Sequence, residues 1–71
     1  MELKKRDLVR QIANAALSKG LAFERARSGT HDIYPLDGLI VPIPRHRELG
    51  EGFADEIRKE CEPKLGRGWW R

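Results

Sequence analysis

The chain has one cysteine, Cys61, so no internal disulfide framework holds it together. The spacing of Cys61 to the two histidines, His31 and His46, makes no zinc pattern. A lone thiol fits a reducing cytoplasm. No apolar run approaches the ~20 residues that a membrane span needs. The start, Met1-Glu2-Leu3-Lys4-Lys5-Arg6, leads into an amphipathic pattern without a signal-type hydrophobic region, so a soluble, unprocessed protein with no membrane partner is expected. Length is also scarce: 71 residues bury only roughly 60% of the surface that the unfolded chain exposes. That leaves room for a single domain over 1–71, with a core at about 5–62, and for no separate catalytic domain.

What is abundant is charge, and its layout matters more than the net +3. Residues 1–47 carry nine Lys/Arg against five Asp/Glu, residues 48–62 two against six, and residues 63–71 three against none. A basic surface of this kind suits a phosphate backbone, and a solvated mixed-charge surface has the same composition.

From Arg6 to Lys19 the apolar residues Leu8, Ile12, Ala15 and Ala16 fall at helical spacing, with Asp7 near the start, Lys19 near the end and Gly20 as the stop. The exposed side of this helix is expected to display some combination of Lys4, Lys5, Arg6 and Arg10. Residues 21–27 alternate as a strand does, and Ser28-Gly29 is expected to turn the chain back. A second strand follows from about His31 to Tyr34 or Pro35. After an Asp37-Gly38 turn comes a third, Leu39 to Ile43, which Pro42 assigns to a sheet edge. The segment from Gly50 to Glu62 places Phe53, Ala54, Ile57 and Cys61 on one stripe, with Pro63 closing this second helix. In the 63–71 tail, the closing Leu65-Gly66-Arg67-Gly68-Trp69-Trp70-Arg71 is too short and glycine-broken to form an element. Trp69 and Trp70 in this tail are read as packing or partner contacts rather than platforms for bases, and Cys61 as a core residue.

The hairpin register decides which residues His31 accompanies. A two-residue Asp37-Gly38 loop pairs Leu36 with Leu39 and leaves Tyr34, Leu39, Val41 and Ile43 together on the face opposite His31. A bulged Leu36-Asp37-Gly38 loop pairs Pro35 with Leu39 and gathers Ile33, Leu39, Val41 and Ile43 on the face of His31. The bulged register collects more aliphatic residues and is the one expected here.

The α-β-β-β-α order is that of the double-stranded-RNA-binding domain, an α+β fold in which two helices cover one face of a three-stranded antiparallel sheet. Three segments narrow the likeness. Arg6-Asp7-Leu8-Val9 resembles the opening helix of the HicA toxins, the mRNA-cleaving partners in bacterial toxin-antitoxin pairs. Gly29-Thr30-His31 stands where that family has Gly-Ser-His, whose histidine is catalytic. Val41-Pro42-Ile43-Pro44-Arg45-His46 resembles its Val-Pro-x-His segment and is followed by a glycine-led helix from Gly52. The chain departs from the family pattern in its Thr30, in a first helix about a turn longer, and in its Trp-Trp tail.

The resemblance implies a ribonuclease that needs no metal or other cofactor, with His31 as general acid or base. An imidazole of pKa about 6.5 suits either role at cytoplasmic pH. His46 is the candidate for a second acid or base, or for a structural or RNA-contacting role. Arg25, Arg27, Arg45 and Arg47 flank the two histidines in sequence and, with Thr30, are the candidate RNA contacts, since guanidinium groups hold phosphates and offset charge on a phosphorane. Asp32 is poorly placed to orient the ring of its chain neighbour, because consecutive strand residues point to opposite faces; Glu24, across the first hairpin, is the better-placed carboxylate, and is itself read first as a solvated glutamate. The partners implied are mRNA and an acidic, HicB-like antitoxin that covers His31 and the basic rim. The alternative is a non-catalytic RNA-binding or protein-interaction module of the same fold.

Overall fold

A computed structural model describes the backbone of residues 2–28, 31–44 and 48–71, and the side chains of these except Glu2, Leu3, Arg27, Ser28 and His31. The architecture is α+β: β1 (Glu2–Lys4), α1 (Lys5–Ser18), β2 (Ala26–Ser28), β3 (His31–Leu36), β4 (Leu39–Pro44), β5 (Glu48–Gly50), α2 (Glu51–Glu60) and α3 (Glu62–Leu65). The strands β2, β3 and β4 form an antiparallel sheet in that order, so β4 with its Pro42 lies at an edge. A second, two-stranded sheet joins β1 to β5 around the Leu3–Leu49 pair. This small sheet is absent from the expected order, since each of its strands is only three residues long and has a single large apolar residue.

Helix α1 follows the expected stripe, with Leu8, Ile12 and Ala16 fully buried. It ends as its sequence dictates: Gly20 takes a φ of 69°. The Gly20 N–H then donates to the Leu17 carbonyl at 3.1 Å and the Leu21 N–H to the Ala16 carbonyl at 2.9 Å, which satisfies carbonyls the helix leaves open. In α2 the buried stripe is Ala54 and Ile57, extended by Cys61 and by Leu65 of α3. Phe53, expected on this stripe, is instead 47% exposed; it lies one position before Ala54, about 100° round the helix. Pro63 does not close α2 but sits in the first turn of α3, where its missing N–H is no loss.

The hairpin of β3 and β4 corrects the expected register. Leu36 pairs with Leu39, Tyr34 with Val41, Asp32 with Ile43 and His31 with Pro44, so Asp37-Gly38 is a two-residue loop. Asp37 has φ 49° and Gly38 φ 88°, the paired positive values of a turn whose twist matches the strands it joins. Tyr34, Leu36, Val41 and Ile43 then share the buried face and meet Leu8, Ile12, Ala54 and Ile57 in one core. Ile33 is not part of that core, and Ile40 and Pro42 are exposed on the other face.

The first strand is shorter than residues 21–27. Phe23 bridges Leu36 in the same register as β2, yet the ladder between them is interrupted. The Glu24 N–H donates to the Pro35 carbonyl at 3.1 Å, and Pro35 has no N–H to return. Ser28 pairs directly with His31, so the connection is Gly29-Thr30 rather than Ser28-Gly29.

Candidate functional site

His31 opens β3 and its backbone is paired on both sides, with Ser28 of β2 and with Pro44 of β4. The start of the Gly29-Thr30-His31 segment's strand and the end of the Val41–Pro44 segment thus lie side by side. The side chains of His31 and Arg27, and all of Thr30, Arg45, His46 and Arg47, lie outside the described residues. Of the expected RNA contacts, Arg25 is described, and it stands beside a carboxylate that sequence reasoning had set aside.

That carboxylate is Asp32. The alternation that buries Tyr34 and Leu36 also buries Asp32, whose side chain is 1% exposed. Burying a carboxylate without partners is strongly unfavourable, and among the described residues two cations meet it: Lys5 Nζ at 2.8 Å and Arg25 Nη2 at 3.1 Å, both on Oδ2. Lys5 comes from the first turn of α1, 27 residues away in sequence. Of the four basic residues at this end of the helix it is the one turned inward, with only 15% of its side chain exposed, while Lys4, Arg6 and Arg10 are exposed. Its ammonium also stands 5.9 Å from the centroid of the Tyr34 ring, within reach of a cation–π attraction. The correct hairpin register was the signal for this arrangement: it puts an acid among the apolar residues of the inner face, and such an acid requires cations.

Glu24 is exposed, as a solvated glutamate is expected to be. Its backbone lies opposite Pro35, four residues along β3 from position 31, or roughly 13 Å at strand spacing.

Beside the Asp32 cluster, α1 and the β2–β3 side of the sheet enclose an open concavity of about 470 Å³. Lys5, Arg6, Arg10 and Arg25 supply four positive charges to its wall, and Glu24 one negative charge. Phe23 and Tyr34 also line it, stacked with ring centroids 5.5 Å apart and planes within 16°. Arg25 keeps 55% of its side chain exposed despite its bond to Asp32, and Arg6 keeps 74%.

The remaining reactive groups face inward. Cys61 is fully buried; its pKa is pushed up to about 12, first by burial and then by the charge of Glu60, which leaves it an unreactive core residue. Trp69 packs against the core, and its indole Nε1–H donates to the Arg58 carbonyl at 2.8 Å. Trp70 meets Trp69 edge-on, with the Arg71 guanidinium 5.3 Å from its ring centroid. Compared with known proteins, the chain matches no family model, no curated protein and no solved structure.

Proposed function

We propose that this protein is a HicA-type ribonuclease, the toxin of a toxin-antitoxin pair acting on mRNA in the cytoplasm. Its frame on this reading is double-stranded-RNA-binding-domain-like, formed by α1, β2, β3, β4 and α2. The observation that carries the proposal is the pairing of His31 with Pro44. It joins two of the three segments on which the family resemblance rests, the one that ends in His31 and the one that runs from Val41 through Pro44.

The reaction is a transesterification. The ribose 2′-oxygen attacks the neighbouring phosphorus, the bond to the 5′-oxygen breaks, and the products are a 2′,3′-cyclic phosphate and a 5′-hydroxyl. One proton leaves the 2′-OH and one is given to the 5′-oxygen. His31 performs one of these transfers, and His46 is the candidate for the other. Arg27, Arg45 and Arg47, with Thr30, hold the phosphate and offset its developing charge, while Arg25 divides its charge between Asp32 and the strand. A HicB-like acidic partner would silence the enzyme by covering this positive surface.

The test follows from the chemistry. RNA with 2′-hydroxyls should be cut in EDTA to cyclic-phosphate ends, and the same sequence as 2′-deoxy strand should remain intact. Cleavage of both strands alike would rule out attack by the 2′-oxygen.

A further inference from the structure

We infer that the concavity between α1 and the β2–β3 side of the sheet is a second RNA subsite, one that holds a nucleotide at a distance from the cleaved linkage. This inference rests on the ribonuclease reading and extends it to how the substrate is gripped. Three observations carry it. The wall is strongly unbalanced in charge, four cations against Glu24. Two of those cations are uncommitted or nearly so: Arg10 makes no ion pair among the described residues, and Arg6 approaches only the exposed Asp7, at 4.0 Å. The other two, Lys5 and Arg25, are fixed in place by Asp32, so the positive wall is formed before any ligand arrives.

The third observation separates a nucleic acid from an acidic peptide. Phe23 lines the concavity while one side of its ring is taken by Tyr34. A base laid on Phe23 would extend a stack already started, as single-strand binding proteins do with aromatic platforms. A peptide carboxylate would use the arginines and leave the ring idle.

The subsite lies apart from the cleaved linkage. Tyr34 and Asp32 stand on the face of the sheet opposite to that of position 31, so a strand cut at His31 reaches the concavity by passing round the β2 edge of the sheet, with a phosphate at Arg6 and Arg10 and a base over Phe23.

The test uses a fluorescein-labelled, fully 2′-O-methylated single strand that cannot be cleaved, bound to the whole protein across a salt series and followed by anisotropy. The double variant Arg6→Ala/Arg10→Ala should bind more weakly, with the slope of log K against log salt shallower by about 1.4, the value for two single-strand phosphate contacts. Arg6→Lys/Arg10→Lys should keep the wild-type slope. Phe23→Leu should lose at least about fivefold in affinity, the lower end of a base–aromatic stack, with the slope unchanged. Wild-type affinity and slope in the alanine double variant would overturn the subsite, as would a wild-type protein that does not bind the strand. Loss of a poly-glutamate peptide by the same double variant, with RNA binding intact, would assign the concavity to a protein partner and overturn it too. Absence of cleavage by the wild-type protein would overturn the ribonuclease reading alone, since the binding slopes do not depend on it.

Discussion

Lys5 and Asp32, separated by 27 residues, form a 2.8 Å ion pair that ties the first turn of α1 to the second residue of β3. The link fixes the helix against the strand that begins with His31, and it is nearly closed to solvent on both sides. Asp32→Ala should therefore destabilise the fold by about 2–4 kcal/mol in urea unfolding. Breaking a buried pair strands the remaining charge, and the value is kept below the top of that range because Arg25 is half exposed. Arg25→Ala should lose less than about 1 kcal/mol. Equal losses in the two variants would contradict this division of roles.

The stop of α1 gives a second prediction. Gly20 adopts a φ that side chains with a Cβ avoid, so Gly20→Ala should lower stability by about 1 kcal/mol. Gly52 lies inside α2 with nothing within 4 Å of where a Cβ would stand. Gly52→Ala should leave stability unchanged or raise it by about 0.5 kcal/mol. Thermal melts of the two variants should move in opposite directions or, at least, separate.

Cys61 predicts an alkaline slope. Its thiol is raised from the ordinary 9.0 to about 12 in the folded chain. Between these values the unfolded chain releases a proton that the folded chain keeps, so stability falls as pH rises through this window, by up to about 1.4 kcal/mol per pH unit. Below the ordinary thiol value the contribution is constant. Urea unfolding compared between about pH 8 and pH 10 should show a flatter decline in Cys61→Ala than in wild type.

Reversing Arg25 would disturb its ion pair with Asp32 as well as a phosphate contact, so the arginine rim is tested at other candidates, with the variant Arg45→Glu/Arg47→Glu. Its affinity for single-stranded RNA should fall, with the salt slope flattened by at least about 1.4. Unchanged affinity together with an unchanged slope would remove these two residues from the RNA interface.

Much of this frame is readable from local pattern. The stripe Leu8, Ile12, Ala16, the stop at Gly20, the Asp37-Gly38 turn and the edge position of Pro42 each follow from rules that act within a few residues. The register was not readable in that way. Counting aliphatic residues favours the bulged loop because it adds Ile33 to the core, whereas the chain buries Asp32 instead and offsets its charge with Lys5 and Arg25. Periodicity within a strand carries no information about a cation on a distant helix. The same holds for the Leu3–Leu49 pairing, whose strands are too short to show alternation, and for Trp69, whose indole partner is a carbonyl of α2. The concavity lined by Arg6, Arg10 and Phe23 was out of reach for the same reason, since α1 and the sheet assemble it from segments that are separate in the chain.

The most direct test of His31 as the general acid or base is cleavage of a long single-stranded RNA by the purified protein in EDTA, beside a His31→Ala variant shown by circular dichroism to be folded. The expected result is cutting by the wild type and none by the variant, which should still bind RNA. Equal cutting by both proteins would remove His31 from the chemistry, and cutting by neither would leave a module that binds RNA without cleaving it.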